Sequence, residues 1–558
     1  MVSRFIELVE KMVCLIKCYK IEIALFSLFV LLRLPYLGQE IFNTDVWKWK
    51  ARTYDFGEGV FTLNFEKTIQ KYHPGVTLMW IGTFAVKVYN GYYKILLGHA
   101  PLDGIATIFE LHFVQKLFLI IFMAVVLAFG FYVIKKHFGK RFCVIFAMLL
   151  GLEPFFYALT RVFHLEGLQS TLMFVSFLWY YHFLQERRTI GKENFLHLAV
   201  SAFFAGLALL TKTSAVYMVP FVILLTFLDG FFERKENPPT SVAVELFQIL
   251  KPLAKWFLVF CLTFVIFWPA MWTKPQKALT ELYRGVSSVG VELGHEQLYF
   301  NKFTLDPGPL YYCVVFSVRA SPVLLIGFLG SIFTLRFYNY KEKKFFLYVF
   351  LFSLFYFIQI TLPSKKLDRY ILPVFVGFIL LSSYFYLYLY SKLGKRYGGL
   401  VIFSVFLYLA STLVFLQKDY FSYFNPIFGG LRKGIYILEP KWIIGHHEIV
   451  RYFEQKSASD STDSTNSLDA NNNSSKLSIA FPEKYYTQIY PFILRINHWP
   501  VIESISAQAI KADFFVYPVW EDNSKNETRV HLEYEDSIYL RGVELYRVYA
   551  NLGASKSN

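Results

Sequence analysis

Charged residues are scarce in this chain of 558 residues. Asp, Glu, Lys and Arg make up only 17% of the sequence, whereas hydrophobic residues make up 55% and aromatic residues 20%. An ordinary soluble domain has about 25% charged residues, so this composition excludes that class and indicates an integral membrane protein. Cysteine is also rare: the five cysteines all lie at or before Cys313, so the polar C-terminal region has none. This argues against an exterior domain held together by disulfide bonds.

Several sequence motifs are missing as well. The chain has no Gly-rich phosphate loop, which agrees with an enzyme that needs no nucleotide on the side of the membrane where it acts. His446-His447-Glu448 lacks the four-residue spacing between histidines that the zinc protease motif requires. No internal repeat of the kind that builds many secondary transporters is present.

The basic residues are concentrated in five short clusters, and they account for much of the formal net charge of +15. Between each cluster and the next lies enough apolar sequence for two membrane crossings, so the positive-inside rule makes these clusters cytoplasmic turns. Their placement predicts contact with anionic membrane lipids and no nucleic-acid partner. The clusters lie at residues 135–141, 187–192, 234–235, 341–344 and 392–396.

With about 20 apolar residues for each crossing, the sequence predicts an α-helical polytopic protein with about eleven transmembrane helices inside a transmembrane domain at 21–420. Residues 1–20 predict a cytoplasmic interfacial helix. A cytoplasmic amino terminus and an odd number of crossings place the carboxyl terminus outside. The crossings are expected at residues 21–37, 110–134, 142–159, 164–184, 195–211, 214–232, 251–271, 312–338, 345–362, 370–390 and 399–417.

Three exterior segments are too long to be simple turns. Residues 38–110 form the first, in which a semi-apolar stretch at 76–97 predicts helices on the membrane surface. Residues 272–310 form the second. Residues 421–558 predict a small α/β domain, because short strand-like runs follow a Ser/Asn/Asp-rich stretch at 457–475 that predicts a flexible loop.

Ionisable residues in these exterior regions are the candidates for chemistry. Asp45 follows the first crossing among aromatic residues, where a partly desolvated carboxylate can act as general base toward a hydroxyl; a solvated loop aspartate is the alternative. His73 precedes Pro74 at the start of a helix and is either a capping feature or a pocket residue. The second exterior segment adds His295 and Asp306.

A second group of ionisable residues brackets the turn between the third and fourth crossings: Glu153, Arg161, His164 and Glu166. Ionisable residues at membrane depth are costly unless they face the interior of the bundle or a water-filled cavity. The group therefore predicts a polar pocket that opens outward. A purely structural ion pair between Arg161 and one glutamate is the alternative.

Some basic residues lie on the predicted exterior side, against the general charge bias. An anionic ligand would explain them, and phosphate is the natural one, since Arg offers two hydrogen bonds and Lys a point charge. Ordinary anionic headgroups are the alternative. These residues are Lys212, Lys365, Lys366 and Arg369, the last of which precedes Tyr370.

In their order along the chain, these residues resemble a known family. The chain is similar to polytopic glycosyltransferases of the C-type fold that use lipid-phosphate sugars, the protein O-mannosyltransferase and aminoarabinose-transferase group of glycosyltransferase family 39, and in particular to uncharacterised bacterial members. The resemblance covers residues 40–430. It rests on Asp45, YHPGVTLMW at 72–80, RVFHLE at 161–166, GLALLTK at 206–212, WPAMW at 268–272, DPGPLY at 306–311, SKKLDRY at 364–370 and YFNPIFGG at 423–430.

The resemblance implies that Asp45 is the catalytic aspartate, although Val46 stands where relatives carry Glu. Glu166 occupies a position where relatives carry Asp, and we place it with Asp45 in the catalytic set. Lys212, Lys365, Lys366 and Arg369 are expected to bind the donor phosphate. The pocket or the acceptor site is expected to include His73, Glu153, Arg161, His164, His295, Asp306 and Tyr370.

The predicted function is transfer of a sugar, hexosyl or pentosyl and mannosyltransferase-like, from a polyprenyl-phosphate donor to an acceptor hydroxyl on a lipid, glycan or protein. The reaction is an inverting displacement. It requires no cofactor; a divalent metal is possible but not indicated. The expected location is the bacterial plasma (inner) membrane, with the amino terminus cytoplasmic and the carboxyl terminus periplasmic.

Two other functions place similar residues together. A transporter or flippase of a lipid-linked saccharide would also need cations near a phosphate, but it predicts polar residues through the whole membrane depth together with internal repeats. A membrane scaffold that presents the C-terminal domain leaves the ionisable group between Glu153 and Glu166 unexplained. Clustering of the functional residues at one face favours the transferase.

Overall fold

The computed structural model of the protein describes residues 2–40, 42–71, 73–102, 104–190, 193–236, 242–289, 296–464, 478–496, 501–505 and 512–553. The α-helices are α1 Val2–Arg33, α2 Thr44–Phe61, α3 Val76–Tyr92, α4 Ile105–Leu152, α5 Pro154–Leu159, α6 Leu165–Ile190, α7 Phe195–Thr211, α8 Met218–Glu236, α9 Val242–Phe267, α10 Ala270–Thr273, α11 Pro275–Arg284, α12 Tyr311–Arg319, α13 Pro322–Thr334, α14 Tyr340–Thr361, α15 Leu372–Lys392, α16 Gly394–Phe415, α17 Gly430–Ile437, α18 His446–Ser464 and α19 Glu483–Ile493. The β-strands are β1 Gln297–Tyr299, β2 Lys302–Thr304, β3 Ser478–Phe481, β4 Val501–Ser504, β5 Phe514–Pro518, β6 Leu532–Leu540 and β7 Val543–Asn551.

The apolar helices confirm an integral membrane protein. Among the described residues, six helical segments are long and apolar enough to cross a membrane, or seven if the bent pair α12 and α13 forms one span. Each of the eleven predicted crossings overlaps a helix, but by length and apolarity alone the number of spans is below eleven. Helix α6 is one reason, because its buried polar side chains, among them Gln169 and His182, face other helices instead of lipid.

Two predicted boundaries lie inside continuous helices. Helix α4 runs through the second and third predicted crossings and is interrupted only at Gly139, whose φ of 84° lies in the left-handed region that favours glycine. The break therefore falls inside the basic cluster at 135–141. Helix α1 likewise joins the predicted interfacial helix to the first crossing, with a kink at Tyr19.

The crossing predicted at 312–338 is a pair of helices instead of one continuous helix. Helices α12 and α13 meet there at a bend of 117°. Pro322 cannot donate a backbone hydrogen bond to the preceding turn, and the side chain of Ser321 accepts one from the Leu324 amide and so begins a new helix. Arg319 at the end of α12 is buried and pairs with Asp368 at 2.7 Å, which holds the bend against the start of α15.

The stretch at 76–97, predicted to form surface helices, is helical as α3, and α2 precedes it in the first exterior segment. They pack against each other, and α3 also packs against α4. The second exterior segment contains α11 and an antiparallel hairpin of β1 and β2.

The C-terminal region forms the predicted α/β domain. Its sheet has the strand order β4-β3-β5-β7-β6, with β3 parallel to β4 and β5, and with β7 antiparallel to β5 and β6. Helix α18 continues to Ser464, inside the stretch predicted to be a flexible loop, and residues 465–475 of that stretch lie outside the described residues. Trp47 of α2 donates a hydrogen bond to the Thr487 carbonyl of α19 at 3.0 Å, so the domain is joined to the first exterior segment.

The basic clusters converge at one end of the helix bundle. Lys136 pairs with Glu186 at 2.6 Å, and Lys344 pairs with Asp229 at 2.5 Å. Helices α6 and α15 run from the opposite end, where Glu166 and Arg369 lie. The basic clusters therefore lie together at one end of the bundle, as the positive-inside rule predicts for the cytoplasmic side. The candidate site lies at the other end.

Candidate active site

A cavity of about 820 Å³ lies where the first exterior segment, the helix ends and the C-terminal domain meet. It collects most of the predicted catalytic and phosphate-binding residues, together with side chains that the sequence did not single out. The predicted residues that line it are Asp45, His73, His164, Glu166, Lys212, Lys365, Arg369 and Tyr370.

Asp45 is positioned by the start of α2. The buried side chain of Asn43 accepts a hydrogen bond from the Val46 amide at 2.8 Å, which caps the helix and places Asp45 in its first turn. A carboxylate in a first turn interacts favourably with the positive end of the helix dipole. The local sequence therefore fixes both the position and the electrostatic setting of Asp45.

Arg369 joins the two predicted catalytic carboxylates. Its Nη2 lies 3.0 Å from Asp45 Oδ2, and its Nε lies 3.3 Å from Glu166 Oε1. Lys212 Nζ approaches the same Glu166 oxygen at 3.1 Å. Two carboxylates and two cations thus form one network in a largely buried setting, where each pair is much stronger than it would be in water.

His164 is a second link between the two carboxylates. Its Nδ1 contacts Glu166 Oε2, and its Nε2 lies 3.6 Å from Asp45 Oδ2. Because one ring nitrogen faces each carboxylate, the imidazole orientation is set by Glu166, and the other nitrogen is presented toward Asp45.

Opposing effects set the pKa of Asp45. Burial raises the pKa, while the neighbouring Arg369 and His164 lower it, and the net result is a pKa below the usual value. Asp45 is therefore ionised at neutral pH and able to accept a proton or a hydrogen bond. This ionised state is what a general base requires at the start of a reaction.

His73 lies in the same cavity in a neutral form. Burial lowers its pKa to about 3, with a further contribution from the nearby Lys212. Gly75, two residues later, has a φ of 60°, and a Cβ atom there would come within 2.0 Å of the Trp49 ring. Glycine is thus required for this turn to pack against α2 and hold His73 at the cavity wall.

Aromatic rings complete the walls near the cations. Lys212 Nζ lies 3.9 Å from the centre of the Tyr370 ring, and the Arg369 guanidinium lies 5.0 Å from the centre of the Trp442 ring. Cation–π contacts of this kind hold long basic side chains in place without neutralising their charge.

Two predicted pocket residues, Arg161 and Glu153, lie elsewhere in the structure. Arg161 pairs with Glu40 at 2.5 Å and donates to the Arg33 carbonyl, so it joins α1 to the loop after α5. Glu153 caps the start of α13, accepting hydrogen bonds from the Ser321 amide at 2.8 Å and the Ser321 hydroxyl at 2.6 Å. Both roles follow from their positions at helix ends that meet inside the bundle.

The remaining predicted residues divide as follows. Lys366 pairs with Asp306 at 2.8 Å, and neither residue lines the cavity. Lys365, its neighbour, does line it. His295 lies outside the described residues.

Sequence reasoning missed several residues of the cavity. Lys48 and Arg52 follow Asp45 by three and seven positions on α2, so helical periodicity could have found them. Lys441, Trp442 and Lys484 come from the C-terminal domain, and no local pattern in the sequence relates them to Asp45. The chain must fold before these residues meet.

We expect Glu153→Ala to lower stability without changing the reaction. The variant leaves the Ser321 amide and hydroxyl without their buried acceptor, which costs about 1–3 kcal/mol. Thermal unfolding in detergent should therefore shift to lower temperature, while the KM for a lipid-linked donor stays the same. Normal stability combined with a raised KM would instead place Glu153 in the substrate site.

Comparison with known proteins agrees with the motifs. Residues 102–268 match the model of the dolichyl-phosphate-mannose-protein mannosyltransferase family. The match indicates a glycosyltransferase. It confirms the resemblance to C-type glycosyltransferases that use lipid-phosphate donors, and it lies on the part of the chain that carries His164, Glu166 and Lys212. A search of curated proteins finds no match.

Solved structures similar to the chain include two of ArnT and one of an oligosaccharyltransferase. ArnT from Cupriavidus metallidurans in the apo state is 12% identical, with coverage of 98% of this chain and 99% of that one and a TM-score of 0.45. ArnT bound to undecaprenyl phosphate is 11% identical, with coverage of 96% and 98% and a TM-score of 0.43. The apo oligosaccharyltransferase from Archaeoglobus fulgidus is 11% identical, with coverage of 89% and 69% and a TM-score of 0.44.

Proposed function

We propose that this membrane glycosyltransferase moves a sugar from a polyprenyl-phosphate donor to an acceptor hydroxyl, with Asp45 as the general base. One observation carries the proposal: Asp45 shares a single cavity with the cations Lys212, Lys365 and Arg369. A carboxylate to accept the proton and cations to stabilise a departing phosphate are the two functions that an inverting displacement at a lipid-linked sugar requires.

The charge of the cavity favours an anionic substrate. Eight basic and five acidic side chains line it, so the surface around Asp45 is positive even after the ion pairs are counted. A cleft of one sign raises the local concentration of a ligand of the opposite sign. The phosphate of the donor and the phosphate released at the end of the reaction both fit this field.

A second cavity supports the lipid character of the donor. It has a volume of about 260 Å³ and shares His73, Lys212, Lys365 and Tyr370 with the main cavity. Its other walls include the apolar side chains of Val216, Val286 and Ile360. We infer that the phosphate lies among the shared residues and that the polyprenyl chain leaves through the apolar side.

The proposed reaction places Asp45 on the acceptor side. Asp45 takes the proton from the acceptor hydroxyl as the oxygen attacks the anomeric carbon, and the bond from that carbon to the phosphate oxygen breaks. The anomeric centre inverts, and the lipid phosphate departs toward Lys212, Lys365 and Arg369. His164 and Glu166 hold Asp45 and Arg369 in this arrangement, and the reaction as proposed needs no cofactor.

The proposed setting is the plasma membrane of a bacterium, with the site on the exterior face. The basic clusters lie at the opposite end of the bundle, in agreement with that orientation. Acceptors of the lipid, glycan or protein class could reach the cavity from the side of the C-terminal domain.

The direct test is an incubation of membranes containing the protein with a panel of labelled polyprenyl-phosphate sugars. We expect label from at least one donor to appear in a new product, with release of the polyprenyl phosphate. Movement of the labelled lipid across the bilayer without a product would instead identify a transporter or flippase.

Lys365 and Lys366 offer a matched pair that tests the phosphate site. Lys365→Gln removes a charge from the cavity, and loss of one charge-assisted hydrogen bond of about 1.5–3 kcal/mol should raise the KM for the donor about tenfold or more. Lys366→Gln makes the same change at the adjacent position but only breaks the pair with Asp306. Equal KM values for the two variants would contradict the role of Lys365.

A further inference from the structure

A cluster of three potential metal ligands lies outside the active-site cavity. Asp419 follows the end of α16, and His446 and His447 are the first residues of α18. One ligand atom from each of the three side chains lies within 4.8 Å of the other two. We call these residues the Asp-His-His cluster; none of them lines the cavity around Asp45.

The facing atoms of this cluster are buried, and none of them has a hydrogen-bond partner outside the cluster among the described residues. Asp419 Oδ2 and His447 Nδ1 contact each other at 2.6 Å, and His446 Nδ1 has no hydrogen-bond partner among the residues that the structure describes. The side chain of Asp419 is fully buried, and that of His446 is 3% exposed. Leaving a buried polar atom unsatisfied costs about 1–3 kcal/mol, so an unpartnered His446 Nδ1 beside a buried carboxylate requires an explanation.

The outer atoms of the same side chains do have partners. Asp419 Oδ1 accepts a hydrogen bond from the Gly445 amide at 2.7 Å, and His447 Nε2 lies 3.2 Å from Glu448 Oε1. The ring of His446 is hydrogen-bonded by the backbone of Gln39. Partners behind each ligand that fix its orientation are a regular feature of protein metal sites.

The distances within the cluster lie on either side of the ligand separation around a small divalent ion. Asp419 Oδ2 lies 2.6 Å from His447 Nδ1, and Asp419 Oδ1 lies 3.7 Å from His446 Nδ1. Tetrahedral ligands at about 2.0 Å from Zn²⁺ are separated from one another by about 3.3 Å. Small rotations of the three side chains would therefore bring them to this geometry.

The charges around Asp419 also favour a bound cation. In the described part of the chain, Asp419 makes no ion pair with Lys or Arg, although its carboxylate is fully buried. The nearby Arg541 donates a hydrogen bond to the Ser422 hydroxyl at 2.8 Å instead. A buried carboxylate is costly unless a cation compensates it, and a divalent ion bound by two histidines would do so.

We propose that Asp419, His446 and His447 bind a divalent transition metal, with Zn²⁺ as the best fit to two imidazoles and one carboxylate. The site is structural. It ties the segment after α16 to the start of α18 in the C-terminal domain. His447 is 21% exposed, so a water molecule can complete the coordination from that side.

The experiment uses the full-length protein in detergent, stripped with a chelator, reloaded with Zn²⁺ and passed over a desalting column. We expect about one zinc per chain by elemental analysis and a rise in the thermal midpoint on reloading. His447→Gln should lose the zinc. His447→Cys should retain it, because a thiolate is a zinc ligand but cannot replace a histidine in an ion pair with Asp419.

Two controls make the result decisive. His197→Gln alters a second group, His182, Glu186 and His197, at the other end of the bundle, and it should leave the zinc content unchanged. Wild-type protein titrated with Co²⁺ should give visible absorption bands that Zn²⁺ abolishes, which tests the site even if a variant does not fold. Equal zinc in wild type and His447→Gln, or neither retained zinc nor cobalt bands in wild type, would overturn the proposal and leave an ion pair between His447 and Asp419.

Discussion

Asp45→Asn should reduce sugar transfer by about 10²–10⁴-fold, the contribution typical of a positioned general base. Asparagine has nearly the same shape and can still accept a hydrogen bond from Arg369, so the fold of the site should persist. It cannot take a proton from the acceptor hydroxyl. The measurement is the initial rate of label transfer from the donor that wild-type membranes use best, at equal amounts of protein.

Asp55→Asn is the matched control for this prediction. Asp55 lies on the same helix α2, is exposed, and does not line the cavity. The substitution is chemically identical, so its rate should equal that of the wild type. Full activity of Asp45→Asn would reject Asp45 as the base. A low rate in both variants would indicate damage to α2 instead.

Arg369→Gln is expected to have the second largest effect, a loss of about 10²–10³-fold in the rate of transfer, comparable to removal of one donor that stabilises developing charge. Arg369 contacts both Asp45 and Glu166, and its loss leaves two carboxylates close together without their shared cation. We expect a raised KM for the donor together with the lower rate, because the phosphate loses a cation in the ground state as well.

Arg336→Gln controls for the loss of one arginine. Arg336 is exposed near the end of α13, and it should be replaceable without effect on donor KM. Binding of a fluorescent polyprenyl phosphate separates the two possible roles of Arg369. Unchanged binding in Arg369→Gln would exclude contact with phosphate and leave only its role in orienting Asp45.

Local features of the sequence predicted the helices well where apolar runs have clear ends. Residues 195–211 were expected to form a crossing, and α7 covers the same residues, Phe195–Thr211, as an apolar helix shorter than the candidate membrane spans. Asn194 caps the start of α7, and the charged residue Lys212 follows its last residue, so polar side chains stand at both ends of the apolar run. The bend inside 312–338 also has a local cause, since Ser321-Pro322 is a helix start signal inside an apolar run, and apolarity alone does not register it.

The sequence predicted the residue types of the candidate site but not which of these residues contact one another. Arg161 and Glu153 have the same residue types as the site, yet tertiary contacts with Glu40 and Ser321 take them elsewhere. Lys365 and Lys366 are adjacent in sequence, and only one lines the cavity. Side-chain direction at a turn depends on the packing around it, which neighbouring residues in the sequence do not specify.

By itself the sequence determined a helical membrane protein, the two unlike ends of its bundle, and a set of carboxylates and cations suited to a lipid-phosphate donor. These follow from composition and local periodicity, because the cost of burying charge in lipid acts on each segment separately. Only the tertiary structure decided that Arg369, 324 residues away from Asp45, pairs with it, and that Asp419 faces His446 and His447. Such pairings depend on how distant helices pack, and that is a property of the whole folded chain.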